Sequence, residues 1–147
     1  MTGLWTMDMA DTIYARVVAD FPESLKKKYK FQKITVNGVT RWQNFSNSSV
    51  ALDTKPVFPY ITFLELPGRE LARDLEGKTI NAANFTFQVD VYDNSKEQTT
   101  RECMAAIVNI MLSMGFEAKP LPAPGSRPQE YRSTAQFTRP IGGTDII

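Results

Sequence analysis

The sequence predicts an α+β domain: a mainly antiparallel sheet, two α-helices packed on one face of it, and a projecting β-hairpin. Three stretches carry that expectation. From Asn84 to Asp93, Phe85, Phe87, Val89 and Val91 share one parity while Thr86, Gln88, Asp90 and Tyr92 share the other, the period of a strand buried on one side. Downstream, Cys103, Ala106, Ile107, Ile110, Met111 and Met114 recur at steps of three and four, an apolar stripe along a helix that ends near Met114. Upstream, Asn37-Gly38 lies between β-branched residues, the preferred two-residue hairpin turn. The strand and the helix after it have matching apolar sides, so the helix is expected to pack on the strand.

In chain order, Thr6 or Asp8 is expected to cap a first helix in which Met9, Ile13, Val17 and Phe21 recur at four-residue steps. Pro22 ends it, because a proline ring pushes the preceding residue out of helical geometry, and Glu23 to Lys28 reads as an exposed turn or short helical extension. Tyr29 to Phe45 reads as one hairpin. A two-residue turn pairs Val36 with Val39, Ile34 with Arg41 and Lys33 with Trp42, leaving Tyr29, Phe31 and Trp42 on one face and Ile34, Val36 and Val39 on the other.

Phe58 to Leu66 is nearly all apolar between Pro59 and Pro67-Gly68, which predicts an inner strand. Arg69 to Lys78 mixes both charges and is expected to form exposed helical turns before a loop at Asn81 to Asn84. Ser95 and Gln98 have capping-box spacing for the second helix, and Gly115 suits its left-handed end. Pro120, Pro122, Pro124 and Pro128 predict a stiff connection, and Tyr131 to Arg139 alternates as a last strand. The whole chain, 1–147, is expected to be one domain, with a core over 8–140 and a tail over 141–147.

Composition narrows function more than any motif does. Histidine is missing, which removes Ser-His-Asp and Cys-His nucleophile pairs, an imidazole proton shuttle and His-ligated zinc. Seventeen basic against sixteen acidic residues leave no net charge that would draw the chain to nucleic acid or membrane. One cysteine, Cys103 on an apolar helix face, reads as a small core residue compatible with a reducing compartment. No apolar run reaches the ~20 residues of a membrane span, and the N-terminus lacks signal-peptide character. A soluble chain with no membrane partner is expected.

Two local patterns could carry chemistry. Glu76-Gly77-Lys78 has the Glu-x-Lys spacing of metal-dependent nucleases, but in a charge-rich loop it reads as solvated surface. Lys26, Lys27, Lys28, Lys30 and Lys33 stand beside Tyr29 and Phe31, the mixture of charge and ring that single-stranded nucleic acid binders use; a solvated edge has the same composition. No catalytic residue, cofactor site or metal site is expected, and so no enzyme. The expected contact residues are Phe31, Val36, Val39 and Trp42 on the hairpin and Gln88, Asp90 and Tyr92 on the polar side of the central strand.

The order of elements resembles a known family. A helix near the N-terminus, Pro59-Tyr-Ile-Thr-Phe63, a mixed-charge segment, Phe87-Gln-Val-Asp-Val-Tyr92, a capped helix, Met114-Gly-Phe116 and Tyr131-Arg132 opening a last strand resemble the tail terminator, or tail completion, proteins of long-tailed bacteriophages. The likeness covers roughly residues 8–140. It implies a structural subunit that assembles as a hexameric ring on the head-proximal end of the tail tube, stops tube growth and offers the head-joining surface. Its implied partners are further copies of the chain, the tail tube protein, a head-connector or head-closure protein, and DNA passing through the lumen. Its implied location is the virion, and the host cytoplasm during assembly. The alternatives are another neck component or a tube subunit and, in a different class, a nucleic-acid-binding or metal-dependent nuclease domain.

Overall fold

A computed structural model of the chain describes residues 4–47, 57–73, 80–118, 123–124 and 130–142. Helix α1 spans Leu4–Asp20 and the short helix α2 spans Glu23–Lys28. A two-stranded hairpin follows, β1 (Lys33–Val36) and β2 (Val39–Trp42), and the chain then enters the main sheet with β3 (Phe45–Asn47), β4 (Tyr60–Arg73) and β5 (Ile80–Asp93). Helix α3 spans Glu97–Ser113, and β6 (Glu117–Ala118), β7 (Ala123–Pro124) and β8 (Tyr131–Gly142) complete the order. The main sheet runs β3-β4-β5-β8-β6, with β7 also on β8; β3 joins β4 in parallel and the other pairs are antiparallel. The predicted α+β class is therefore correct.

The central strand is β5, as its alternation predicts. Phe85, Phe87, Val89 and Val91 are buried, and so are Ala135 and Phe137 on β8 and Ile61 and Phe63 on β4. Onto this face α3 lays Cys103, Ile107, Ile110, Met111 and Met114, all buried, while α1 adds Ile13 and Val17. Rings tie the layers together: Phe63 to Phe87 at 4.8 Å between centroids and Phe87 to Phe116 at 5.8 Å. Each such pair contributes about 0.5–1.5 kcal/mol beyond the area it buries. Gly115 closes α3 at φ +85, with its N–H donating to the Leu112 carbonyl and the Phe116 N–H to the Met111 carbonyl. The positive φ favours glycine, and a Cβ there would also lie 3.1 Å from Arg139 Nε and press that side chain aside.

The hairpin has the predicted register, Val36 with Val39 and Lys33 with Trp42, and both Asn37 and Gly38 take positive φ as the turn requires. It is shorter than Tyr29 to Phe45, however. Phe31 turns into the core against Phe21 and Phe45 before β1 begins, and Phe45 leaves the hairpin to pair beside Ile61. One buried side chain enforces this exit. Asn44 is fully buried; its Oδ1 accepts from the Gln32 N–H at 2.9 Å and its Nδ2 donates to the Pro59 carbonyl at 2.7 Å. Its own carbonyl accepts from the Ile61 N–H. The crossing between two sheets is thus hydrogen-bonded from both directions.

Several boundary expectations are corrected. Helix α1 begins at Leu4, ahead of Thr6 and Asp8, so neither caps it, and the Asp8 carbonyl instead accepts from Thr12 Oγ1 within the helix. The N-cap position of α3 is Lys96, not Ser95. Asp93 shapes the turn that leads into the helix: its Oδ2 accepts from the backbone N–H groups of Ser95 and Lys96 and from Ser95 Oγ, while Gln98 reaches Glu102.

Arg69–Arg73 is strand rather than helix, and the rest of that mixed-charge segment, 74–78, lies outside the described residues. β4 continues to Arg73 and β5 starts at Ile80, passing Pro67-Gly68 and the Asn81–Asn84 stretch through shifts in register. Such irregularities tolerate a proline that cannot donate to the ladder. The last strand likewise runs beyond Arg139 to Gly142, and Ile141 is buried, so the core extends past residue 140. Pro124 of the proline-rich connection forms part of β7. Pro120, Pro122, Pro128, Glu76 and Lys78 lie outside the described residues.

Candidate interaction surface

Two helices on one face leave the other face of the sheet without a covering element among the described residues. Register decides what lies there. Tyr92 stands between Tyr60 and Arg132, Asp90 between Thr62 and Thr134, Gln88 between Leu64 and Gln136, and Thr86 between Leu66 and Thr138. Because side chains alternate, these twelve residues from three strands share one surface. Most are half-buried by one another, and Leu64 is 47% exposed.

The surface is cross-linked by hydrogen bonds. Arg132 donates to Asp90 Oδ1 from Nε at 3.1 Å and from Nη2 at 2.9 Å, and Gln88 Nε2 donates to Asp90 Oδ2 at 3.1 Å. Both oxygens of the buried carboxylate are thereby satisfied, which is the condition for keeping a charge in a poorly hydrated place. The bond to Asp90 holds the Arg132 guanidinium even more firmly protonated than usual. Its carbon sits 5.5 Å from the centre of the Tyr92 ring, which stacks in turn on Tyr60, and the Tyr60 hydroxyl bonds Ser46 on β3. Burial, and then the charge of Asp90, push the Tyr92 phenol above its ordinary pKa. At the other end Thr86 donates to Thr138, and Thr138 to Asn84.

Gln88, Asp90 and Tyr92, expected as contact residues, all lie on this surface. Tyr60, Leu64, Arg132 and Gln136 belong there too, and sequence reasoning did not group them. Their alternation is visible in the sequence, but which strand lies beside which is not. The hairpin residues divide. Phe31, expected as a contact residue, lies 9% exposed inside the core, whereas Val39 near the turn is 64% exposed. The side chain of Val36 lies outside the described residues. Trp42 is half-buried, with the ammonium groups of Lys26 at 4.7 Å and Lys33 at 4.9 Å from its ring centre.

The lysine run does not form one charged strip. Lys26 points inward, 5% exposed, donating to the Val18 carbonyl and pairing with Glu23. Lys28 pairs with Glu102 at 2.9 Å, and Lys33 lies over Trp42. Lys27, Lys28, Lys30 and Lys33 are all exposed, but with Lys26 turned inward and Lys28 paired with Glu102 the patch offers phosphate fewer cations than its sequence suggests. Glu102 gathers Tyr29, Lys28 and Gln98, and those hydrogen bonds, Tyr29 first, hold its carboxyl down to about 2. Burial pushes the Cys103 thiol up to about 12, leaving it a packing residue.

Among the described residues no group of three or more Asp, Glu, Cys or His stands together as a metal site, and no helix is long and apolar enough to cross a membrane. Compared with known proteins, the chain matches no protein-family model and no curated relative.

Proposed function

We propose that this chain is a structural subunit of a long-tailed bacteriophage, a tail terminator that closes into a ring on the tail tube and joins it to the head. One observation carries the reading: the face of β4, β5 and β8 that no described element covers, where hydrogen-bonding side chains are held in fixed positions around an exposed Leu64. A surface of ordered polar groups with a small apolar centre suits contact with another protein better than it suits catalysis. The order of sequence motifs supports the phage assignment. A contact between two unlike patches, this face and the hairpin side, generates a ring when its rotation closes.

Light scattering and negative-stain microscopy of the full chain test the reading. Rings that cap purified tail tubes are the expected result, and Leu64→Asp is expected to leave a folded protein that neither assembles nor caps. A wild-type monomer that retards DNA in a gel would sink this reading in favour of nucleic-acid binding. So would a Leu64→Asp protein that terminates tubes normally.

A further inference from the structure

On the polar face, Leu64, Gln88 and Gln136 form one row across β4, β5 and β8, and the next row holds Asp90 between Thr62 and Thr134. An ionised carboxylate only accepts hydrogen bonds, whereas a side-chain amide donates at one end and accepts at the other. Asp90 is 6% exposed, and its Oδ1 already accepts from Arg132 Nε and Nη2. Its Oδ2 requires a donor, and Gln88 turns Nε2 toward it at 3.1 Å. That orientation directs the Gln88 carbonyl at Gln136, which answers with its own NH2: Gln136 Nε2 stands 3.4 Å from Gln88 Oε1. Each bond sets the direction of the next.

The run ends at Gln136 Oε1. Among the described residues this oxygen accepts no hydrogen bond, and no buried side-chain oxygen is left without one, so Oε1 is an acceptor open to solvent. It lies two strands across from the exposed Leu64.

We infer that Asp90 is a positioning residue: without touching a partner it sets the hydrogen-bond direction of this face, so that the next copy of the chain meets an acceptor at Gln136 and must bring a donor to it. An acceptor brought there instead would leave two oxygens desolvated and unpaired, which makes the contact selective. The inference rests on the reading that copies of this chain associate through this face.

Reversing the run tests it. Gln136→Glu sets an acceptor-only group against the Gln88 carbonyl. Asp90→Asn supplies an amide that can accept from Arg132 and donate to Gln88, freeing the Gln88 NH2 to turn the other way. Urea unfolding of the dilute full-length chain in about 1 M salt, which screens simple charge repulsion, should show Gln136→Glu destabilising alone and relieved by Asp90→Asn, a coupling of at least about threefold in the unfolding constant. Additive effects overturn the inference. So does a Gln136→Glu chain as stable as Gln136→Lys, which can only donate; that comparison stands even where Asp90→Asn fails to fold. In light scattering, Gln136→Lys removes the outward acceptor and should weaken self-association at least about tenfold, while the Gln136→Glu, Asp90→Asn double variant keeps an outward oxygen and should assemble. Loss of rings in both, or in neither, overturns the inference and leaves the ring reading standing. A wild-type chain that stays monomeric sinks the ring reading, and the unfolding cycle then decides the role of Asp90 alone.

Discussion

Replacing Asn44 by aspartate should turn a pH-indifferent staple into a pH-sensitive one. The side chain is fully buried, its oxygen accepting from the Gln32 N–H at 2.9 Å and its nitrogen donating to the Pro59 carbonyl at 2.7 Å and more weakly to Val57 at 3.4 Å. Asn44→Ala orphans one donor and one acceptor; at about 1–3 kcal/mol for each, it should cost about 2–6 kcal/mol. A protonated aspartic acid can still accept from Gln32 and donate to Pro59, so Asn44→Asp should be mild in acid. Once ionised it has no donor and faces two carbonyl oxygens without water.

The folded carboxyl should therefore titrate above its reference value of about 3.9, by about 2–3 units for a buried acid. With the folded pKa raised, the penalty is missing below about pH 4 and grows as pH rises through the folded value. It levels off at about 3–4 kcal/mol by neutrality, since each unit corresponds to ~1.4 kcal/mol. Urea unfolding of wild type, Asn44→Ala and Asn44→Asp at pH 3.5 and pH 7 measures it directly. The difference between wild type and Asn44→Asp should widen with pH, while that for Asn44→Ala should not. Equal differences at both pH values, or an alanine cost under about 0.5 kcal/mol, would refute the role assigned to Asn44.

Two further outcomes follow from the packing and the charges. Ile107 is fully buried between α3 and the sheet, so Ile107→Ala should lower unfolding free energy by about 2–5 kcal/mol in chemical denaturation; a loss under about 0.5 kcal/mol would place it at the surface. The Glu102 carboxyl, held down to about 2, should support folding fully above the ordinary glutamate range and lose that support as pH falls toward 2. Carboxyl NMR titration should show the depressed midpoint, and Tyr29→Phe should move it upward. A Glu102 midpoint near 4.5 in wild type would contradict the network.

Local rules were readable wherever a few neighbouring residues decide the outcome. Asn37-Gly38 determined the hairpin register because few residues adopt two successive positive φ angles, and Gly115 marked the end of α3 for the same steric reason. The alternation from Phe85 to Val91 identified the central strand, since only one side of it could face a core. Tertiary structure alone decided the rest. Arg69–Arg73 reads as solvated helix but becomes strand because β5 lies alongside and the ladder absorbs Pro67-Gly68 in a register shift. Lys26 reads as surface, yet its stem packs inward because Trp42, Glu23 and the Val18 carbonyl converge there. Asp90 and Arg132, forty-two residues apart, meet only because β5 pairs with β8. Alternation along a strand is a property of its own backbone, but the neighbour across the ladder comes from anywhere in the chain, and that choice built the polar face of β4, β5 and β8.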